Sequence, residues 1–269
     1  DRPSHLSDCP SWFHDQRRIE GIRSTGMKKE EGISGLRLMR ASSKGKNAEK
    51  ICIPIVETTV EKALIAIKEA EQWADLIELR ADYLKRVRLA PLLENRRKPF
   101  IVTHRRKEEG GKYNGGERER LAVLKEAVEL GADYIDVELA TERSSLQGFI
   151  RNKKGTQVVL SFHDFRRTPS LKELQRLLDP MIRLGADVIK IVAFARAWKD
   201  NLTLLSLIPL AKARKQEIVA FCMGEKGKVS RLFSPLLGAA WTYASLRKGK
   251  ASAPGQLTVR ELRNIWEKM

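Results

Sequence analysis

The chain has 269 residues, of which 42% are hydrophobic, so it can bury a full core as one large domain or two small ones. Its net charge of +17 fits a nucleic-acid-binding protein, an ion-pair-rich surface or a site for an anionic small molecule, and does not choose among them. No apolar run is long enough to span a bilayer. The three cysteines, Cys9, Cys52 and Cys222, are far apart, which argues against a disulfide framework or a cysteine metal site. We expect a cytoplasmic protein without a membrane partner or a bound metal.

The first residues differ in composition from the rest of the chain. Residues 1–26 are rich in Ser, Asp, Arg, Pro and Gly and show little hydrophobic periodicity. We interpret them as a disordered tail or a mis-assigned extension, with Met27 as a candidate natural start. Residues 33–50 alternate briefly on both sides of a Ser/Lys/Gly turn, which predicts a short N-terminal hairpin. We assign residues 27–269 to a single domain.

From Ile51 onward, short apolar runs alternate with segments of helical periodicity. The predicted strands cover 51–56, 75–80, 99–104, 133–139, 157–162, 187–193, 217–222 and 239–245. The predicted helices cover 58–72, 88–95, 117–130, 142–152, 170–184, 199–215, 229–236 and 258–268, and two of them begin with capping boxes at Ser170 and Thr258. This alternation predicts an α/β fold, a closed (β/α)8 TIM barrel. A doubly wound open sheet is the alternative, although no Gly-rich dinucleotide fingerprint follows the first strand.

An internal repeat relates the second, fourth and sixth predicted strands. The segments ADLIELR (74–80), ADYIDVE (132–138) and ADVIKIV (186–192) align on Ala-Asp-x-Ile. Side chains two apart on a strand share a face, and alternate barrel strands fill the same interior layers. The odd or even position of a residue along its strand, here called its parity, therefore decides its face. The aligned positions predict that five ionisable side chains point into the barrel: Glu78, Arg80, Asp136, Glu138 and Lys190.

Lys190 interrupts the most apolar of these strands and allows two interpretations. One is a lysine whose stem lies on apolar surface while its head reaches water. The other is an amine nucleophile that forms a Schiff base with a carbonyl substrate. The shared parity with other ionisable groups favours the second interpretation, because several charges inside one barrel are costly as structure and useful as a site.

Polar residues at the predicted strand ends are the other candidates, since barrel enzymes place their sites there. His163 follows the fifth strand and could move protons beside an amine nucleophile, or simply bond a loop carbonyl. Arg105 begins a long charged loop over 105–116 and suits a carboxylate ligand, whereas His104 has the opposite parity and should face outward. Cys222, near the end of the seventh strand, is more typical of a buried structural thiol than of a nucleophile.

Several motifs, in order and at the expected strand ends, resemble one family from about Gly35 to the C-terminus. They are KICIPI (50–55), DLIELRAD (75–82), THRRKEEGG (103–111), DYIDVEL (133–139), SFHDFRRTP (161–169), ADVIKI (186–191), MGEKGKVSRL (223–232) and ASAPGQ (251–256). The family is type I 3-dehydroquinate dehydratase of the shikimate pathway. The resemblance implies a (β/α)8 barrel, often a homodimer, that dehydrates 3-dehydroquinate to 3-dehydroshikimate without a cofactor or a metal.

The resemblance also implies residue roles by motif position. Lys190 matches the Schiff-base lysine, His163 the general acid and base, and Glu109 the acidic residue that assists the histidine. The positions that match substrate contacts are Glu78, Arg80, Arg105, Arg231, Ser252 and Gln256. Pro54 stands where some members carry a substrate-contacting serine, and it has no hydroxyl to offer.

The same residues allow two alternatives, one a different enzyme and the other a binding protein. A class I aldolase would share the lysine on the sixth strand but would not need the His163 loop together with ASAPGQ. A basic nucleic-acid-binding module would need aromatic platforms among its basic residues, and aromatic residues are only 6% of this chain without interleaving. We therefore expect a small-molecule substrate and no nucleic-acid partner.

Overall fold

The computed structural model describes residues 50–269, so the tail predicted at 1–26 and the body of the hairpin predicted at 33–50 lie outside the described residues. The strands are β1 (Ile51–Ile55), β2 (Leu76–Arg80), β3 (Phe100–Thr103), β4 (Tyr134–Glu138), β5 (Gln157–Asp164), β6 (Val188–Phe194), β7 (Glu217–Met223) and β8 (Thr242–Tyr243). The helices are α1 (Val60–Ala70), α2 (Ala90–Leu93), α3 (Glu117–Glu129), α4 (Arg143–Arg151), α5 (Leu171–Leu184), α6 (Lys199–Leu205), α7 (Leu207–Ala213), α8 (Lys228–Phe233) and α9 (Val259–Trp266). All eight predicted strands are confirmed in place and order.

The strands form one parallel sheet that curls into a barrel. Each strand from β1 to β6 pairs with the next one along the chain, and β1 also pairs with β8. The N–H of Ala240, just before β8, donates to the carbonyl of Ile218 on β7 at 2.8 Å, which ties the two edges together. The (β/α)8 barrel is thus confirmed. The open doubly wound sheet is wrong, because its strand order would reverse part-way across the sheet.

The helices agree with their predicted positions, with one difference. The single helix predicted over 199–215 is two helices, α6 and α7, that meet at Ser206. Pro209 lies in the first turn of α7, where its missing N–H costs nothing, but a continuous helix would need that N–H as a donor. The capping boxes at Ser170 and Thr258 are confirmed. No helix in residues 50–269 has the length and apolar character that a membrane crossing requires.

The barrel interior changes character along its axis. Its amino-terminal end is apolar, with a packed cluster that includes Cys52, Leu76, Ile101, Val159, Val188 and Trp241. Two residues further along the same strands, the inward positions carry Glu78, Asp136 and Lys190. Side chains two apart share a face, so the polar layer lies directly above the apolar one. The fold therefore places these charged groups on the carboxyl-terminal side of the apolar layer.

Candidate active site

Lys190 lies inside the barrel and is only 4% exposed. Its Nζ donates to Asp136 Oδ2 at 2.9 Å, to Tyr243 Oη at 3.1 Å and to Glu78 Oε1 at 3.3 Å. Thr103 Oγ1 donates to the same Glu78 oxygen at 2.8 Å and holds that carboxylate in place. Two carboxylates offset the cost of burying the ammonium. The lysine is therefore a buried, fully bonded group, and the interpretation of a head group that reaches water is wrong.

A charge ladder of five side chains with alternating sign runs outward from the barrel interior. Its members are Lys190, Asp136, Arg105, Glu138 and Arg120. Arg105 donates to Asp136 Oδ2 at 2.7 Å and to Glu138 Oε1 at 2.9 Å. The other oxygen of Glu138 accepts from Arg120 at 2.7 Å, and Arg120 comes from helix α3 in the outer layer. Burial alone would raise the pKa of Asp136, but Arg105 and Lys190 outweigh it and hold that pKa well below its usual value. Each charge in the ladder is thus compensated by its neighbours.

His163 and Glu109 form a pair on the wall of the same pocket. The backbone N–H of His163 donates to Glu109 Oε2 at 3.1 Å, and its ring Nδ1 lies 2.9 Å from that oxygen. Burial, with the positive charges of Arg105 and Lys190, holds the pKa of His163 well below its usual value. Burial and the charge of Glu138 raise the pKa of Glu109 to about 8. A neutral imidazole whose Nδ1–H donates to Glu109 keeps Nε2 available as a base.

Two further arginines of the pocket differ sharply in their surroundings. Arg80 makes two hydrogen bonds to Asp82, both 2.8 Å long, and this pair is buried. Arg231 is 1% exposed, and its Nε and Nη2 have no hydrogen-bond partner among residues 50–269. Its guanidinium lies 4.3 Å from the centre of the Phe221 ring, and burial lowers its pKa to about 10. An unpaired buried cation is costly, and a planar guanidinium of this kind can pair with a carboxylate.

The loop after β8 closes another side of the pocket. Ser252 N–H donates to Gln256 Oε1 at 2.8 Å, while Gln256 Nε2 is buried and has no partner in the described part of the chain, residues 50–269. Gly255 has a φ of +74°, and a Cβ there would lie 2.1 Å from the carbonyl oxygen of Gly224. The N–H of Gly224 donates to Pro254 at 3.0 Å. This close approach needs glycine at 255, and it fixes Ser252 and Gln256 against the end of β7.

The nine catalytic and substrate-contact candidates named from the sequence all line this one pocket. They are Glu78, Arg80, Arg105, Glu109, His163, Lys190, Arg231, Ser252 and Gln256. The five side chains predicted to point inward are all buried, although Asp136 and Glu138 lie behind Lys190 and Arg105 and do not line the pocket. His104 packs against the ring of Tyr113, with 4.4 Å between ring centres, and takes no part in the lining.

Sequence reasoning missed three polar residues that the structure joins to the site. Tyr243 contacts Lys190, Thr103 bonds Glu78, and Arg120 holds Glu138. Tyr243 and Thr103 have the inward parity of their strands, which is a signal that could have found them. Arg120 stands in the charged segment ERER, which looks like a solvated helix face, so no local pattern marked it.

Within residues 50–269 no cluster of three or more His, Cys, Asp or Glu side chains has the arrangement of a metal site. The buried thiol of Cys222 has a pKa raised to about 11 by burial, which keeps it protonated at neutral pH. The groups that remain for chemistry are an amine, an imidazole, carboxylates, guanidinium groups and a phenol. Such a set suits covalent amine chemistry and proton transfer on an anionic substrate.

Barrel enzymes carry their catalytic groups on the carboxyl-terminal side of the parallel strands. The fold and the pocket described above therefore define this protein as a barrel enzyme. The family model for type I 3-dehydroquinase matches residues 51–269. The chain is 38% identical over 217 residues to the 3-dehydroquinate dehydratase of Methanococcus vannielii, across 80% of this chain and 97% of that protein. It is 32% identical to the bifunctional 3-dehydroquinate dehydratase/shikimate dehydrogenase of Arabidopsis thaliana, across 96% of this chain and 43% of that protein.

Solved structures agree. The type I 3-dehydroquinate dehydratase of Clostridium difficile, solved with covalently modified comenic acid, superposes with a TM-score of 0.75 at 28% identity, covering 83% of this chain and 93% of that one. The 3-dehydroquinate dehydratase of Enterococcus faecalis gives a TM-score of 0.71 at 32% identity, covering 84% and 95%. The chain belongs to the type I 3-dehydroquinase family and is an enzyme of that class.

Proposed function

We propose that this enzyme dehydrates 3-dehydroquinate to 3-dehydroshikimate through a Schiff base on Lys190, as a step of aromatic amino acid biosynthesis. The observation that carries the proposal is that an amine and an imidazole face one pocket from neighbouring strands. Ser161 on β5 pairs with Lys190 on β6, and His163 pairs with Val192. His163 therefore lies two residues, about 7 Å, further toward the mouth than Lys190. A ring substrate between them meets the amine on one side and a base on the other.

The reaction follows from these positions. Lys190 gives one proton of its ammonium to solvent and attacks the C3 ketone as the free amine. The ketone oxygen then leaves as water, with one proton from the nitrogen and one from solvent. The resulting iminium withdraws electrons from the neighbouring C2–H bond. His163 Nε2 takes the C2 proton, and the electron pair moves toward the iminium to form an enamine. The enamine expels the C1 hydroxyl, which leaves as water with the proton from His163. Water then hydrolyses the remaining iminium, which releases 3-dehydroshikimate and regenerates the lysine.

Glu109 and the arginines support this assignment in different ways. Glu109 orients His163, because its Oε2 accepts from the backbone N–H of that residue and lies 2.9 Å from the ring Nδ1. Arg80 and Arg105 already have carboxylate partners within the protein, whereas Arg231 has none. We therefore assign the substrate carboxylate to Arg231, and polar substrate groups to Arg80, Arg105, Glu78, Ser252 and Gln256.

The test is borohydride reduction in the presence of 3-dehydroquinate, followed by peptide mass analysis. We expect a reduced adduct on the peptide that contains Lys190, together with formation of dehydroshikimate before reduction. Lys190→Ala should abolish both, and Lys172→Ala, which removes an exposed lysine of α5, should change neither. Normal turnover by Lys190→Ala would refute the Schiff base. An adduct without dehydroshikimate would favour the aldolase alternative.

We also propose that the enzyme is a cytoplasmic homodimer. Trp198 and Leu202 stand one helical turn apart at the start of α6 and are 63% and 72% exposed, a large apolar surface for a monomer. The two cysteines among residues 50–269, Cys52 and Cys222, are buried free thiols, which suits a reducing compartment. Light scattering on the purified protein should give twice the chain mass, and Leu202→Lys should lower it. A monomer in the unmodified protein would refute the dimer.

A further inference from the structure

Tyr243 occupies a position beside the nucleophile that the reaction scheme above leaves without a task. It lies on the two-residue strand β8, pairs with Cys52 on β1 and is 4% exposed. Its ring packs against that of Phe221, with 5.9 Å between centres, and this contact limits the movement of the ring. Its Oη is 3.1 Å from Lys190 Nζ, and the residue lines the pocket.

The three neighbours of Lys190 Nζ are not equivalent. Asp136 also accepts from Arg105 and Ser161, and Glu78 also accepts from Thr103. Ionised carboxylates only accept hydrogen bonds, whereas a phenol both accepts and donates. Tyr243 is thus the one of these three neighbours that can receive a proton from the nitrogen and hold another to give away. Burial, followed by the charge of Glu78, raises the pKa of the Tyr243 phenol well above its usual value, so the phenol carries its proton at neutral pH.

Attack by an amine on a ketone creates a need for such a group. The first product carries a positive nitrogen with a proton to lose and a negative oxygen that needs one. Both atoms are bonded to the same carbon, so a group in contact with the nitrogen is also close to the oxygen. On the proposed scheme the oxygen is in the pocket, and the phenol borders that pocket next to Nζ.

We infer that Tyr243 is a catalytic residue that relays a proton from the Lys190 nitrogen to the C3 oxygen of the substrate. The phenol gives its proton to the oxygen and takes one from the nitrogen, so the tyrosine ends unchanged. The product is a neutral carbinolamine with one new C–N bond. The reverse relay serves the hydrolysis that frees the product. This inference rests on the proposed Schiff base and adds a step that precedes the proton abstraction by His163.

The test is Tyr243→Phe, which removes only the hydroxyl and keeps the ring in its contact with Phe221. Rapid-quench borohydride trapping measures the rate of adduct formation on Lys190. We expect that rate to fall about 100-fold, the usual size of a lost proton-transfer group. The matched control is Tyr134→Phe, which removes the hydroxyl of a half-buried tyrosine outside the pocket lining and should leave the trapping rate unchanged.

A second readout separates the relay from a purely structural role. With substrate deuterated at the abstracted C2 position, an isotope effect on kcat/KM reports the step at His163. Tyr243→Phe should suppress that effect, because carbinolamine formation becomes slower than proton abstraction. An unchanged trapping rate or an undiminished isotope effect overturns the relay. If the unmodified enzyme traps no adduct, the Schiff base itself fails. Should the phenylalanine variant not fold, 3-fluorotyrosine at 243 must alter the trapping rate, and an unaltered rate overturns the relay.

Discussion

Replacement of Arg231 by methionine should stabilise the substrate-free protein while it weakens substrate binding. The guanidinium is buried, two of its nitrogens have no partner among residues 50–269, and its pKa is lowered to about 10. That shift corresponds to about 3 kcal/mol of destabilisation of the folded protein by the charged guanidinium. The full destabilisation is present at pH 7, because it decreases only when the pH rises above 10 and the folded-state guanidinium loses its proton. Methionine fills a similar volume without the charge. We expect unfolding to become about 2 kcal/mol less favourable, which raises Tm by about 5 °C in a domain of this size.

The same variant should lose the charge-assisted contacts to the substrate carboxylate. Such contacts contribute about 1.5–3 kcal/mol, so KM should rise about 10- to 100-fold. Calorimetry without ligand and steady-state kinetics measure the two effects. Arg176→Met, on the exposed face of α5, is the control and should move neither quantity appreciably. A lower Tm for Arg231→Met, or an unchanged KM, would show that the guanidinium is not held unpaired for the substrate.

Two other predictions concern the pH response of Glu109 and the loop at Gly255. Because the pKa of Glu109 rises from 4.5 to about 8 on folding, its contribution to stability is lost as pH increases across that interval. Glu109→Gln should therefore gain up to a few kcal/mol relative to the unmodified protein between pH 5 and 8, and parallel denaturation curves would contradict this. Gly255→Ala should lower kcat/KM at least about ten-fold, because its Cβ would collide with Gly224. Gly249→Ala, with a similar positive φ but open space, should retain activity, and equal losses would refute the clash.

Periodicity was sufficient for the barrel because each strand and helix repeats a local pattern. It also placed Lys190, since parity within one strand decides which face a side chain takes. It could not join Glu109 to His163, because that pair depends on how a loop 54 residues away folds over the strand end. Arg120 reaches the site from the outer helical layer, and its neighbours in sequence are charged and exposed. The break between α6 and α7 was also missed, because the apolar period continues through it while the hydrogen-bond pattern does not.

The charge ladder that runs from Lys190 to Arg120 has a consequence for the proposed intermediate. An ammonium and a protonated imine carry the same single positive charge on the same nitrogen. Asp136 and Glu78, which flank the ammonium, therefore meet an unchanged charge when the covalent bond has formed. Because the charge on the nitrogen is the same, the electrostatic force on Arg105 and Glu138, which lie further from it, is also unchanged. The resting protein already has the electrostatic arrangement of the proposed iminium, so the difference in reorganisation energy between these two states is small.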